Sequence, residues 1–564
     1  MIADEVPRER VDASPIETVA TFRGWRSTLV AVAAVYLATA GAFSYLSPCG
    51  TWNNRVFDIP MWPESDPGGY YVASAHELYS SKGQLLYPGH PGLTLQIMLH
   101  AIQRALFGMN RAGGSQAAFT DYAAANLGLV FVSSKVLMTA LHALSFWLLF
   151  YFAVALVRSE RAALLAVLGY ATSLPVLYYI SRISPEPLVT TFFLGTCLSI
   201  WRCHGHREPG QSGKPVLWAC LAAICAVSGL VTKMHILGPL PLFGFAYVVA
   251  GGLGSGVDAK TRWKSRAMVG IAYGAAAAVA FGLYSLLIDW RAFFALWWGN
   301  GSSGLRVPLG PFRTVLHILT NAASAPGAIP LEQWRPGATK SGMFFLSELP
   351  MAMVGLVGWT ACWRRPSLRP RMAWCAVYGA FTLLIWLFRS GQTHDFHGFH
   401  YLIIVVALAS VFFGYASDQL LGGLGSFRSC TRELGAMLLW TLAWHPFAIW
   451  GALDSRLQDV RAFARYRPYL DAVARVAPEQ GLVVLTEANA ISSADMVHGL
   501  STLDGRRSLL VEKFRERFIA VDSRIGPDRI MAMRQRAQSI AIVTDVPEAG
   551  SALTPAQASP AGNH

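Results

Sequence analysis

Apolar runs recur from Ser27 to Leu453, and clusters of Arg and Lys stand in alternate gaps between them. Many of the runs reach the ~20 residues that a helix needs to cross a bilayer. Inside a bilayer every backbone N–H and C=O must be satisfied within the chain, so such runs read as helices. The basic gaps are Arg158/Arg161, Arg202–Lys214, Lys260–Arg266, Arg364–Arg371 and the loop Ser417–Glu433. Cytoplasmic loops carry an excess of Lys and Arg, which places these gaps inside the cell together with the polar tail 1–26. About eleven spans follow: Ser27–Leu46, Asn126–Val157, Ala162–Ile180, one ending at Trp201, one ending at Val231, a short sixth, Ala267–Ile288, Met343–Trp363, Ala373–Phe388, Tyr401–Ala416 and Leu434–Leu453. The first run is too long for a signal-peptide core and no A-x-A site closes it cleanly, so it reads as an uncleaved span.

Composition agrees. Charged residues make up 14% of the chain and mean hydropathy is +0.38, where a soluble domain carries ~25% charge. The formal charge of +13 is spread over short loops, a topological pattern that argues against nucleic acid as a partner. The 8 cysteines include no C-x-x-C pair, so no zinc site is indicated. The expected fold is an α-helical polytopic membrane protein with a small C-terminal α/β domain outside the cytoplasm. Its parts are a tail (1–26), a transmembrane domain (27–453) with external loops 47–125 and 289–342, an extracytoplasmic domain (454–545) and a disordered tail (546–564) rich in Ala, Pro, Gly and Ser. The α/β expectation rests on a helical pattern over Val460–Val476 and strand-like runs at Leu482–Thr486 and Ile540–Thr544.

The first external loop concentrates acids. Asp58, Glu64 and Asp66 fall among Pro60, Pro63, Pro67, Gly68 and Gly69, a composition that holds a loop open. Tyr70, Ala73, Ala75, Leu78 and Tyr79 then recur at helical spacing, predicting a short amphipathic helix able to lie flat on the membrane. A second amphipathic stretch covers Pro91–Phe107.

The order Asp66-x-x-x-Tyr70, Ala75, Gly83, Tyr87, His90-Pro91-Gly92, Leu106-Phe107-Gly108 resembles the first external loop of the GT-C glycosyltransferases. That group takes lipid-linked sugars and includes protein O-mannosyltransferases and aminoarabinose transferases. The resemblance extends over about Ser27–Ala416. It implies a polyprenyl-phosphate-linked sugar as donor and transfer with inversion to a glycan, lipid or protein acceptor on the outer face; the excess of Arg over Lys and the Ala- and Gly-rich spans point to a bacterial inner membrane. On that pattern Asp66 is the base that takes the acceptor proton, with Glu64 as the alternative; Tyr70 and His90 belong to the acceptor side. The run G-L-V-T-K, ending at Lys233, resembles a motif of the same group, and Glu186 resembles its acid at the head of the fourth span.

Each of these residues also has a plain structural reading. The acids can simply solvate or cap a loop, and Glu186 suits a helix start. Lys233 and Arg182 can snorkel to headgroups. A lipid-phosphate leaving group calls for cations at outer span ends; Arg182, Lys233 and Arg389 stand there, with Arg306, Arg313 and Lys340 in the long second loop. In His394-Asp-Phe-His397-Gly-Phe-His400-Tyr401, His397 and His400 can share one helix turn, and the resemblance places them near the donor phosphate. Close carboxylates also suit Mg²⁺ or Mn²⁺, and the divalent-cation requirement stays open. The rival class is a transporter or flippase of a lipid-linked glycan. Transporters bury ionisable groups near the membrane midplane, often beside broken helices, and here the middles of the runs are nearly free of Asp, Glu, Lys and Arg.

Overall fold

The structure is a computed structural model that describes residues 25–46, 68–80, 92–112, 118–180, 182–205, 213–250, 259–288, 290, 336–366, 368–390, 398–423, 430–453, 457, 481–485 and 539–543. Its helices are α1 (Trp25–Leu46), α2 (Gly68–Ser80), α3 (Leu93–Ala112), α4 (Phe119–Ala125), α5 (Leu127–Val157), α6 (Glu160–Ala171), α7 (Leu174–Tyr179), α8 (Glu186–Gly205), α9 (Gly213–Thr232), α10 (Met234–Leu237), α11 (Leu240–Ala250), α12 (Ala259–Ser285), α13 (Pro336–Trp363), α14 (Arg369–Ser390), α15 (Gly398–Gly423), α16 (Cys430–Trp444) and α17 (Pro446–Leu453).

Among the described residues five segments are long and apolar enough to cross a membrane: Trp25–Ala42, Gly128–Val157, Lys214–Thr232, Ala259–Ser285 and Leu402–Gly422. Leu434–Trp444 and Pro446–Leu453 make a sixth if taken as one span bent by 71°. The chain is a multi-pass membrane protein. The other expected spans also fall on helices, but on shorter, broken or less apolar ones. Ala162–Ile180 is interrupted at Thr172–Ser173 between α6 and α7, and the short sixth run is split into α10 and α11.

The helices sort by burial. Leu402–Gly422 is 83% buried, whereas Trp25–Ala42 and Ala259–Ser285 are each 22% buried. α15 is thus the central helix, lying between α13 and α6, while α1 and α12 face outward. The close approach at α15 depends on residues without a side chain. A Cβ on Gly414 would lie 2.2 Å from the Ala162 carbonyl oxygen, and one on Gly358 would lie 2.0 Å from that of Phe412. At one end of this packing Asp418 of α15 accepts from Ser159 at 2.8 Å and pairs with Arg161. Ser159 Oγ also accepts from Ala162 N–H at 3.1 Å, so one hydroxyl caps α6 and ties it to α15.

The first-loop helix departs from expectation. Tyr71–Leu78 of α2 are buried on every side, Ser74, His76 and Glu77 included. A helix lying flat on a membrane would leave one face open. Here Tyr71, Val72 and Ala75 instead join Leu95 and Leu99 of α3, Ala123 of α4, Val130 and Phe131 of α5, and Leu188 of α8 in one apolar cluster. Alternation of apolar and polar residues could not reveal this, because the covering helices come from distant sequence.

Two strands, β1 (Gly481–Leu485) and β2 (Ser539–Val543), pair in parallel with Leu482 opposite Ile540. They fall within one residue of the two strand-like runs. Parallel pairing demands a crossover connection, which residues 486–538 are long enough to supply; that connection, the tails 1–24 and 544–564, and the helical pattern over Val460–Val476 lie outside the described residues.

Candidate functional site

The chain stops being helical between α9 and α10, and Lys233 occupies that break. Its φ of −154° and ψ of 85° end α9. Its carbonyl accepts from Ile236 and Leu237 N–H at 3.1 and 2.9 Å, starting α10. The side chain is buried, and its Nζ donates to Glu186 Oε1 at 2.5 Å. Glu186 opens α8 after Pro185, and its second oxygen accepts from the Ser184 hydroxyl. A buried ammonium or carboxylate is costly unless paired, and here each supplies the other's partner. Arg182 enters through the same turn. Its guanidinium lies 3.9 Å from the centroid of the Tyr178 ring, its backbone N–H donates to Tyr179 carbonyl at 3.1 Å, and its side chain is buried. Two cations, Arg182 and Lys233, and one carboxylate, Glu186, are thus buried at one turn.

Three other elements meet this turn. Thr232 Oγ1 donates to Ser228 carbonyl at 2.6 Å, so it accepts from Thr94 of α3. Tyr284 of α12 donates to Ser228 Oγ at 3.0 Å. Gly92, just before α3, has φ +116°; a Cβ there would sit 2.9 Å from Tyr71 Cε1 and 3.7 Å from Pro185 Cβ. Only glycine combines that backbone with that crowding. The starts of α2 and α3, the turn before α8 and the α9/α10 break therefore converge. Leu78, Leu93, Leu230, Val231 and Ile288 pack together beside them.

Of the residues expected at the site, the structure brings Lys233 and Glu186 into contact and sets Arg182 on the turn that Glu186 ends. Tyr70 lies in α2, Arg389 near the end of α14 and His400 at the start of α15; their side chains are outside the description. Asp66, Glu64, His90 and His397 lie outside the described residues, as do Asp58, Arg306 and Arg313. Among the described residues no three His, Cys, Asp or Glu side chains gather as a metal cluster.

Sequence reasoning passed over a polar group inside the α2–α3–α4 packing. His76 Nε2 lies 3.2 Å from Thr120 Oγ1, and its ring stacks on Phe119 at 4.6 Å. His100 Nδ1–H donates to Ala75 carbonyl at 2.7 Å, and Gln103 donates to Val72 carbonyl at 3.0 Å. Burial holds the His76 pKa below its ordinary value, with the Glu77 carboxylate and Gln103 opposing and His100 adding to the shift. Burial likewise lowers His100, against its bond to Ala75 and with help from Arg104. Both histidines are therefore neutral at pH 7. The available signal was a histidine and a glutamate side by side in a helix otherwise built of small and apolar residues.

Charged groups also occur deeper than the apolar runs suggested. Lys135 of α5, Glu348 of α13 and Asp418 of α15 are all buried. Lys135 and Glu348 fall inside expected spans, so the expectation that run middles are nearly free of charge meets these two exceptions; Asp418 belongs to the expected loop Ser417–Glu433, whose first part the structure builds into α15.

No family model matches the chain and no curated protein matches it. Solved structures do. The structure of ArnT from Cupriavidus metallidurans bound to undecaprenyl phosphate matches with a TM-score of 0.47 and 13% identity, over 92% of this chain and 90% of that one. The apo state of the same protein matches with a TM-score of 0.40 and 12% identity, over 91% and 94%. The Archaeoglobus fulgidus oligosaccharyltransferase, in complex with zinc and sulfate, matches with a TM-score of 0.43 and 13% identity, over 88% of this chain and 62% of that one. The chain is similar to these proteins over most of its length. Likeness of this degree, with identity under a quarter and TM-scores under one half, assigns no activity.

Proposed function

We propose that the chain is a membrane glycosyltransferase that moves a sugar from a polyprenyl-phosphate donor to an acceptor on the outer face of the membrane, with inversion at the anomeric carbon. The observation that carries this reading is the buried turn of Arg182, Glu186 and Lys233, with two cations side by side, joined through Gly92 and Tyr71 to the helix that follows the acidic loop in sequence. A phosphate leaving group gains negative charge as its bond to the sugar breaks, and fixed cations in a dry site stabilise it far better than water does. Lys233 and Arg182 take that role, with Arg389, His397 and His400 as further phosphate contacts. Asp66, or Glu64 in its place, accepts the proton of the attacking hydroxyl. Glu186, Tyr70 and His90 orient the acceptor. The acidic loop is where a Mg²⁺ or Mn²⁺ ion would bind. In this reading the N-terminal tail is cytoplasmic, the protein sits in the inner membrane, and the part built on β1 and β2 is an extracytoplasmic α/β domain that contributes to acceptor binding.

A second reading is transport of a lipid-linked glycan. Buried Lys135 and Glu348, and the helix breaks at Thr172–Ser173, Lys233 and His445, favour it. Transfer and transport separate cleanly in one assay. Purified membranes are offered a panel of labelled polyprenyl-phosphate sugars, wild type beside Asp66→Asn. Covalent transfer in the wild type and its loss in the well-expressed variant is the expected result. Transfer in both moves the base to Glu64. Labelled lipid that crosses the membrane without transfer overturns the enzyme reading in favour of transport.

A further inference from the structure

The structure assigns Glu348 as a positioning residue for the phosphate-binding turn, acting through the short helix α7. α7 is a strut held at both ends. At its start Leu174 N–H donates to Glu348 Oε1 at 2.7 Å, a bond buried in the bundle. Just before it, Thr172 Oγ1 donates to Leu168 carbonyl at 2.8 Å and therefore accepts from His445 Nδ1–H at 3.0 Å. His445 is fully buried at the 71° bend between α16 and α17. At the far end of α7 the Tyr178 ring carries the Arg182 guanidinium at 3.9 Å, and Tyr179 carbonyl holds the Arg182 backbone at 3.1 Å. The chain then passes through Ser184 into Glu186 and its bond to Lys233.

The chemistry explains why a carboxylate stands in an otherwise apolar stretch of α13. Opening amides of a helix have no carbonyl one turn back, and a break inside the membrane leaves them without water. Glu348 reaches across from another helix and supplies an acceptor to one of them. The acceptor oxygen anchors the start of α7 and, through six residues of helix, the place of Arg182. The coupling runs through contiguous contacts. It also links the site to α13, the helix that follows the second external loop. Glu348 itself touches no donor or acceptor in this assignment.

The assignment rests on the proposed reading only for the identity of the ligand, polyprenyl phosphate. The test uses the full chain in lipid nanodiscs, with Glu348→Ala and Glu348→Gln beside wild type. Amide hydrogen exchange over residues 174–186 and binding of polyprenyl phosphate are both measured. Glu348→Ala is expected to speed exchange across 174–186 and to weaken binding, each by about tenfold or more. Glu348→Gln, whose carbonyl can still accept from Leu174, stays within about threefold of wild type in both. Unchanged exchange in Glu348→Ala overturns the strut. Weak binding in Glu348→Gln with wild-type exchange also overturns it, because the charge would then act on the ligand directly. If Glu348→Ala does not fold, Glu348→Asp, one methylene shorter toward Leu174 N–H, takes its place, and unchanged exchange over 174–186 in that variant overturns the proposal. A wild type that binds no polyprenyl phosphate sinks the glycosyltransferase reading alone; the exchange measurements still decide the strut.

Discussion

At the scale of the residue, the Lys233–Glu186 pair is the feature with the largest consequence. Removing one partner of a buried pair leaves the other charge uncompensated, at a cost of ~3–5 kcal/mol. Lys233→Met and Glu186→Gln are each expected to lower stability on that order. The double variant is expected to lose clearly less than the sum, since it leaves no buried charge behind. Denaturant melts in detergent of the four members of the cycle read this directly; additive losses would mean that the two groups do not pair in the membrane. Function separates the partners further. Under the proposed reading Lys233→Met abolishes binding of the lipid phosphate, whereas Glu186→Gln keeps a cation and changes acceptor use more than donor binding. Lys233 and Glu186 were both legible as candidates, because a lysine closing one apolar run and an acid opening another stand out where charge is scarce. Their mutual contact was not legible, since 46 positions of intervening chain separate them.

At the scale of the element, α2 shows how burial changes the chemistry of ordinary side chains. His76 and His100 have folded pKa values below the ordinary 6.5. The unfolded chain therefore binds more protons than the folded one in the window below 6.5, and stability falls as pH drops through it. Above 6.5 both states are neutral at these positions and the contribution is complete. Hydrogen exchange over residues 71–80 and 93–104 is expected to accelerate as pH is lowered from neutral to mildly acid, after correction for the intrinsic rate. His76→Gln is expected to flatten that dependence. An acid-insensitive α2 in the wild type would show that these imidazoles are solvated rather than buried. The periodicity over Tyr70–Tyr79 does specify a helix and places its start correctly to within two residues. It suggests a surface helix only because the enclosing partners, α3, α4 and α5, are not written in the same window.

At the scale of the whole molecule, the arrangement hinges on how closely α15 is approached from both sides. A methyl group on Gly414 would enter the backbone of α6, which can yield only by moving the helix. Gly414→Ala is expected to destabilise the protein by ~1–3 kcal/mol, the usual penalty of overpacking. Gly274→Ala in α12 meets nothing within 4 Å and is expected to be neutral or to stabilise by up to ~1 kcal/mol, from the entropy that glycine loses in a helix. Thermal melts of the two variants side by side test the placement of α15 as the central helix; equal effects would contradict it. In the last turns of the same central helix stands Asp418, whose ties to Ser159 and Arg161 fix the start of α6. α6 leads into α7, and α7 into the turn of Arg182 and Glu186, so the packing of the core and the geometry of that turn are continuous.

Hydropathy and charge along the chain already settle that it lies in a membrane, that it crosses it more than once, and which charged residues stand at the ends of its apolar runs. Those properties follow from hydrophobicity and charge summed over short windows, and a bilayer imposes them whatever the tertiary packing. The sequence also located both strands, because β-branched and apolar residues cluster there. The tertiary structure alone decided that α2 is enclosed, that Lys233 faces Glu186, that α7 stands apart from α6, and that Glu348 holds its start. Each of these depends on contacts between segments far apart in the chain, whose energies come from desolvation and hydrogen bonding in three dimensions and leave no period in one.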